Sequence, residues 1–554
     1  MPKKICIVGG VAGGAGTAAR LRRLDETADI IIFERGEYIS YANCGLPYHV
    51  GGIIEDRARL LLNSPASMKE RFNVDVRVRH EVTAIDRETK TIRVLNQESG
   101  ESYDENYDIL VLSTGSRPLA PPIPGIDGER IYTLWTIPDT DRIIATIESV
   151  QAKTAVVIGG GFIGLEMAEN LRHRGIDVTL IEAQPQLFAP FDPEMALALN
   201  GELRRNGVEL ILGDATTSFE SDSDGVTLSL KNGSTLRTDL VILSIGVRPN
   251  SELARGAGLE LNPRGGVIVD ERLLTSDPSI YALGDVIEVR DRVTGSPAMI
   301  PLAGPANKQA RIAADRIHGI DSVYPGTFGV SIVKLFSLSA AAVGQSEKTL
   351  VRAGKAEGVD YRTVLIRQSD HAGYYPDATP LYIKLIFAPD GKKIFGAQVL
   401  GKKGVDKRID VIAAAMHFNA SVFDLKQLEL AYAPPFSSAK DPVNMLGFVA
   451  ENVVNGLVSF AKWDVVETHD PAKTAILDVR EDWERKIATI PGAVAIPLGK
   501  LRERISELDP AKETVVFCAA GVRANTAARL LTQRGFADVK IYPGGEFFYR
   551  LTRE

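Results

Sequence analysis

Short, nearly continuous apolar runs alternate along the chain with glycine turns and amphipathic stretches, the pattern of a parallel sheet covered by helices on both faces. The first run is Lys4-Ile5-Cys6-Ile7-Val8, followed by Gly9-Gly10-Val11-Ala12-Gly13-Gly14 and a helix-like stretch at 15–25. A strand, a glycine turn and a helix are predicted. The next strand, 30–33, ends in Glu34-Arg35, about twenty residues past the glycines, where a carboxylate can hold an adenosine ribose. The same unit returns as an apolar strand at 155–158, then Gly159, Gly161, Phe162, Ile163 and Gly164, a helix at 165–173, and a strand at 177–181 ending in Glu182. In each unit the turn lets backbone N–H groups and a helix N-terminus approach a pyrophosphate. Val11 takes the middle glycine position of the first unit, whereas the second has all three glycines. A carboxylate at Glu182 repels a 2′-phosphate, which favours NADH over NADPH.

Two further apolar strands, 109–112 and 240–243, run into Ser113-Thr114-Gly115-Ser116-Arg117-Pro118 and Ser244-Ile245-Gly246-Val247-Arg248-Pro249. They read as the return strands of two nested nucleotide domains. A later strand, 280–283, carries Gly284-Asp285 at its end. Residues 325–445 change character: strand-like 334–336, 361–367 and 382–387 and helix-like 406–417 and 422–428 make an α+β segment without glycine fingerprints. An apolar helix at 442–454 precedes Asn455-Gly456 and is taken as a linker. The final segment begins afresh, with strands at 475–480 and 513–517, a turn entering a short strand at 490–498, and a helix at 524–534.

Composition narrows the classes. The 554 residues predict about three to five domains. A net charge of −7 supplies no basic field for nucleic acid. No apolar run of about 18 residues and no cleavable leader occurs, so neither membrane spanning nor export is expected. Three cysteines without an even framework point to a reducing compartment, the cytoplasm. No metal is expected.

Two of those cysteines sit in loops. Cys44 lies in Ser40-Tyr41-Ala42-Asn43-Cys44-Gly45-Leu46-Pro47-Tyr48, with no other cysteine within thirty positions, so redox chemistry there must use one sulfur. Cys6, inside the first strand, reads as core. Cys518, in Cys518-Ala519-Ala520-Gly521-Val522-Arg523, stands at a strand end where a helix opens. Backbone N–H groups and an arginine around a thiol are expected to lower its pKa and to bind an anionic sulfur.

The order and spacing of these motifs over roughly residues 1–445 resemble the two-dinucleotide flavoprotein disulfide reductases. The resemblance implies an α/β fold of two nested Rossmann-like domains, with FAD bound by residues 1–120 and 245–324 and NAD(P)H by 121–244. It further implies dimerisation through 325–445, a linker at 446–465, Asp285 on the flavin's ribityl chain, and flavin contacts from Pro301, Leu302, Ala303 and Gly304. The family usually carries a C-x₄-C pair. The single Cys44 resembles instead the coenzyme A-disulfide reductase branch, with Tyr41 where phenylalanine is common. Tyr374 and Tyr432 match tyrosines that reach the partner subunit's cysteine in that branch, so a homodimer with a shared site is implied, Tyr375 remaining open as the functional member of its pair. Residues 466–554 are similar to a single α/β rhodanese domain, through Asp478-Val479-Arg480, Ile490-Pro491-Gly492-Ala493 and the Cys518–Arg523 loop, although Thr489 replaces a common histidine. The loop's length fits a persulfide.

Coenzyme A needs partners for its phosphates. Arg20, Arg22 and Arg23 on the first helix and Lys69 and Arg71 after the Cys44 loop are candidates, Arg20 and Arg23 sharing a face at i, i+3; Ser40 joins the substrate-binding set with them. The expected activity is NAD(P)H-dependent reduction of coenzyme A disulfide, coenzyme A persulfide or polysulfide at Cys44, coupled to a sulfur-carrying Cys518. The alternatives are an NADH oxidase or peroxidase that cycles Cys44 through sulfenic acid, and a non-catalytic redox sensor.

Overall fold

The computed structural model describes residues 2–553 and divides the chain into two compact units, Met1–Pro185 with Gly207–Gly329 and Gln186–Asn206 with Val330–Glu554. Both expected nucleotide sheets lie in the first unit. One sheet places Lys4–Val8 at its centre, between Ile109–Leu112 and Asp29–Glu34, with Ile280–Ala282 and Asp75–Val78 outermost. The other places Thr154–Ile158 at its centre, between Asp177–Glu182 and Leu240–Leu243, with Val208–Leu212 and Ile131–Thr133 outermost. All these pairings are parallel, and the central strands are buried on both faces, which explains their unbroken apolar sequence. The glycine turn therefore leaves the middle of each sheet at its carboxyl end, where ligands of such folds bind.

Four further strand groups in this unit escaped the sequence pattern, the smallest being Val289–Arg290 paired with Pro297–Ala298. Antiparallel three-stranded sheets, 80–106 and 216–238, precede the two return strands. The two Arg-Pro segments, Ser116–Pro118 and Val247–Pro249, pair antiparallel with Arg117 opposite Arg248. One motif thus completes the other.

The second unit contains a five-stranded antiparallel sheet, Ser331–Leu335, Leu338–Gly344, Ile394–Gly401, Pro380–Phe387 and Arg362–Ser369 in spatial order. Helix Pro193–Arg205, whose sequence was grouped with the nucleotide domain 121–244, packs here. Buried Lys384 explains why: its ammonium lies 3.0 Å from Asp192 and 2.6 Å from Glu347 and also contacts Glu194. Burial alone would lower the Lys384 pKa, but these three carboxylates outweigh it and raise it. The acid trio, the only grouping of three potential metal ligands among the described residues, is thus filled by an ammonium.

Helix Pro442–Val454 is also part of this core, burying Val443, Leu446, Gly447, Ala450 and Val453. Residues 446–454 of the expected linker are therefore packed structure, because the apolar character that marked the stretch is its buried face. Past the helix, Ile541 N–H donates to Ser459 O and Ala461 N–H to Ile541 O, so the chain joins the C-terminal sheet well before 465. That sheet is parallel, in the order Val494–Ala495, Thr474–Asp478, Glu513–Phe517, Val539–Ile541. It docks on the antiparallel sheet through Arg367 over the Phe547 ring at 4.4 Å and Tyr382 against Phe548 at 5.7 Å. No helix among the described residues is long and apolar enough to cross a membrane.

Candidate functional site

The two glycine turns have the same local physics. Gly9 and Gly159 hold φ of +100° and +108°, a region that favours glycine. A Cβ on Gly14 or Gly164 would fall inside the carbonyl oxygen of Gly9 or Gly159, so each helix packs against its own turn with no room for a side chain. Neither helix, Ala12–Leu24 or Phe162–His173, has a side-chain N-cap. Glu34 accepts N–H bonds from Gly10 at 2.9 Å and Gly36 at 2.8 Å, and Glu182 accepts from Gly160 at 2.7 Å and Gln184 at 2.8 Å. Each acid is thereby fixed over its turn, while Arg35 is exposed.

Around the first cradle, the Thr114 hydroxyl donates to Asn250 O at 2.7 Å, and Gly115 and Gly246 both hold positive φ. Asp285 accepts the Ser116 hydroxyl at 2.9 Å, and burial pushes its carboxyl pKa up. The Gly284 N–H is held by Gln309 Oε1 at 2.8 Å. Pro301 and Leu302 lead into helix Ala303–Ile317, which opens with Ala303 and Gly304 and packs on the first-cradle helix. Two cradles in which Gly9, Gly14, Gly159 and Gly164 leave no room for a Cβ, and the half-buried Asp285 carboxyl beside the first, fit FAD in the first fold and NAD(P)H in the second.

Cys44 sits in a three-residue turn, Asn43–Gly45, that continues into the short helix Leu46–Val50. Ser40, at the start of the loop, holds a left-handed φ of +45°, fixed by Asn63 Nδ2 donating to its Oγ at 3.0 Å and by its own N–H donating to Gly10 O. The thiol opens on a cavity of about 530 Å³ whose walls include Val11, Ser40, Asn43, Arg23, Arg71 and Ala303. Arg23 and Arg71 both lie over the Phe72 ring, at 5.2 and 5.6 Å, presenting two guanidiniums at one wall. The other expected cations stand elsewhere. Arg20 is paired with Asp315 at 2.7 Å, Lys69 donates to Asn73 Oδ1 at 2.8 Å, and Arg22 is spent on backbone carbonyls, including Phe72 O and Ala28 O.

A carboxyl that the sequence reading did not single out completes this site. Glu166, two residues past Gly164, accepts the Tyr48 hydroxyl at 3.1 Å, and burial pushes its pKa to about 7. The Cys44 pKa is raised, first by the walls that withdraw the thiol from water, then by the carboxylates of Glu166 and Asp285. The local field therefore favours uncharged sulfur: a thiol or a disulfide.

In the second unit Tyr374 and Tyr432 meet hydroxyl to hydroxyl at 2.8 Å, although 58 residues apart, and both are exposed, Tyr374 at 76%. That bond raises the Tyr374 pKa, so its hydroxyl stays protonated. Tyr375 instead packs edge-on against His371, which leaves Tyr374 as the member of the pair that joins Tyr432. Behind both loops lies Arg408, 1% exposed, another residue the sequence did not single out. Its guanidinium donates to Asp370 O at 2.8 Å on one loop and to Ser437 Oγ and Asp441 on the other. Nothing local marked it, because Asp406, Lys407 and Asp410 stand beside it in the same helix, Val405–His417.

Cys518 is buried at the end of strand Glu513–Phe517, and the Gly521 N–H donates to its Sγ at 3.1 Å. Gly521, with φ +124°, turns the chain into helix Val522–Gln533. Arg523 is clamped by Glu484, two bonds of 2.6 Å, and the guanidinium holds that carboxyl below the usual range. Asp478 and Arg480, by contrast, are a buried structural pair. Thr489 Oγ1 turns to Ile490 O.

Paired nucleotide cradles with one accessible thiol define a class of oxidoreductases that pass electrons between a nicotinamide and a sulfur centre. The chain belongs to the pyridine nucleotide-disulphide oxidoreductase family, whose model matches residues 3–310. The dimerisation domain of that family matches 330–442, and a rhodanese-like domain matches 464–547. The coenzyme A disulfide reductase of Staphylococcus epidermidis is 37% identical over 456 residues, 81% of this chain and 100% of that protein. Among solved structures, reduced CoADR-RHD of Bacillus anthracis is 49% identical, with a TM-score of 0.96 over 100% of this chain and 98% of that one. An NAD-dependent persulfide reductase from A. fulgidus is 39% identical, with a TM-score of 0.92 over 99% and 100%.

Proposed function

We propose that this protein is an NAD(P)H-dependent flavoprotein that reduces coenzyme A disulfide, coenzyme A persulfide or polysulfide at Cys44 and carries sulfur on Cys518. The observation that carries the reading is the lone Cys44 thiol in a cavity walled by Arg23 and Arg71, which suits a thiol bearing phosphates. Bound FAD supplies the electron pair, taken from NAD(P)H, that opens a disulfide at Cys44. Glu182, with no neighbouring arginine in Glu182-Ala183-Gln184-Pro185, supports NADH.

Cys44 rests as a mixed disulfide with coenzyme A, the uncharged form that Glu166 and Asp285 favour. Cleavage of that bond frees coenzyme A thiol and leaves a Cys44 thiolate. The thiolate attacks one sulfur of the next disulfide or persulfide; the new Sγ–S bond forms as the old S–S bond breaks, and the electron pair leaves on coenzyme A thiolate or hydrosulfide. A phenol of the Tyr374–Tyr432 pair donates a proton to that leaving sulfur. We assign this proton to a second copy of the chain, because both tyrosines, like Phe418 and Phe436, are exposed within the stretch that matches the family's dimerisation domain, and a partner subunit would cover such apolar groups. Three unpaired thiols suit the cytoplasm.

The test is steady-state NADH oxidation with each of the three oxidants, compared by kcat/KM. Turnover of coenzyme A persulfide or disulfide, abolished by Cys44→Ser, is expected. Turnover of dioxygen or peroxide alone would establish the oxidase or peroxidase reading, and no turnover at all would leave a sensor. Cys518→Ser then separates coupled from independent sulfur handling.

A further inference from the structure

The loop Cys518–Arg523, whose Gly521 N–H donates to the Cys518 thiol, carries one cation, Arg523, and that cation is already matched. Both terminal nitrogens of Arg523 are held by separate oxygens of Glu484, and the pair is largely shielded, at 31% and 13% exposure. Glu484 is fixed by helix Asp482–Ile487, whose other basic residues do not replace Arg523. Arg485 pairs with Asp482, and Lys486 stands at i+2 from Glu484, off its face. The buried Arg480 is bound by Asp478 and Glu546. Flanking the Arg523–Glu484 pair along the chain are Trp483, Ile487 and Val522, all more than half exposed.

We infer that the mouth of the Cys518 loop selects a sulfane-sulfur donor with a neutral organic body, an alkyl persulfide, over a dianionic inorganic donor such as thiosulfate, and that Glu484 sets this preference by neutralising Arg523. The inference rests on the proposal that Cys518 carries sulfur. Thiosulfate would bring two negative charges to a loop whose single cation is matched by a carboxylate, and would release a second dianion, sulfite. An alkyl persulfide releases one thiolate, and its carbon body can lie on exposed apolar side chains. The step is redox-neutral: the Cys518 thiolate attacks the terminal sulfur of R–S–SH, the Sγ–S bond forms, the donor's S–S bond breaks, and the electron pair leaves on R–S⁻.

The full-length chain carrying Cys44→Ser is loaded in single turnover with N-acetylcysteamine persulfide or with thiosulfate, and the mass of the Cys518 peptide is followed. The persulfide is expected to load Cys518 at least about tenfold faster, the scale of one uncompensated charge in a partly buried site. Glu484→Gln is expected to narrow that ratio by about tenfold, and Glu484→Asp, which keeps the charge, to preserve it. Equal or faster loading by thiosulfate overturns the inference and leaves the sulfur-carrier reading standing, a comparison that needs no Glu484 variant to fold. A ratio unmoved by Glu484→Gln also overturns it. Loading by neither donor overturns both.

Discussion

Replacing Glu166 by glutamine tests the electrostatics of the Cys44 site most sharply. The fold raises this carboxyl from 4.5 to about 7, which corresponds to about 3 kcal/mol of preference for the protonated form. The sign follows from linkage. Below the unfolded pKa both states hold the proton and nothing is lost; as pH rises towards about 7 the unfolded chain ionises first, so folded stability falls, and above that value the whole cost is present. Glutamine removes the charge, and its carbonyl can still accept the Tyr48 hydroxyl. Glu166→Gln is therefore expected to be neutral in acid and stabilising by up to about 3 kcal/mol above neutrality. Because Glu166 is the first charge among those raising the Cys44 pKa, the variant should also lower that thiol's pKa, shifting its alkylation profile towards acid. The assay is the rate of Cys44 alkylation by iodoacetamide on NADH-reduced enzyme as a function of pH, beside denaturant unfolding at acid and neutral pH. An unshifted alkylation profile together with a pH-independent stability difference would show that Glu166 carries no charge that Cys44 feels.

Other perturbations have equally direct readouts. Gly14→Ala drives a Cβ into Gly9 O and should give protein without flavin absorbance, whereas Gly164→Ala should keep the flavin and lose its reduction by NADH. Arg23→Ala and Arg71→Ala each remove a charge-assisted contact worth about 1.5–3 kcal/mol, so KM for coenzyme A disulfide should rise about tenfold or more with kcat little changed, and less at high salt. Arg408→Gln leaves buried Asp441 with only the more distant Lys407 as counter-charge and should cost up to about 3–5 kcal/mol in denaturant unfolding, with kcat falling through the loosened Tyr374–Tyr432 pair.

How much of this was legible in the sequence depended on whether the partners were local. The Cys44 and Cys518 loops and both glycine turns carry their chemistry within a few consecutive residues, and the strands around them are buried on both faces, so apolar runs marked them. Strand Leu338–Gly344 has three consecutive alanines at its centre and Ile394–Gly401 carries Gly396 and the buried Gln398, which serves Asp192, so neither shows a strand's β-branched pattern. Ser102–Asn106 is an edge strand with Tyr103 as its one side chain packed on the core. Glu166, Arg408 and Glu484 were silent for a different reason. Their partners lie 118, 38 and 39 residues away along the chain, and only folding gives these charges their roles. The same applies to helix 193–205, drawn to the antiparallel sheet by a lysine nearly two hundred positions later.

A small thiol takes the place of the missing second cysteine at Cys44 in the mechanism proposed above. Intact-mass analysis of the purified enzyme, before and after one equivalent of NADH, tests it most directly. The expected result is a coenzyme A adduct on Cys44 that NADH releases as coenzyme A thiol and that Cys44→Ser never carries. A bare or sulfenic Cys44 in the purified enzyme, turning over peroxide rapidly and acquiring no adduct from coenzyme A disulfide, would contradict it.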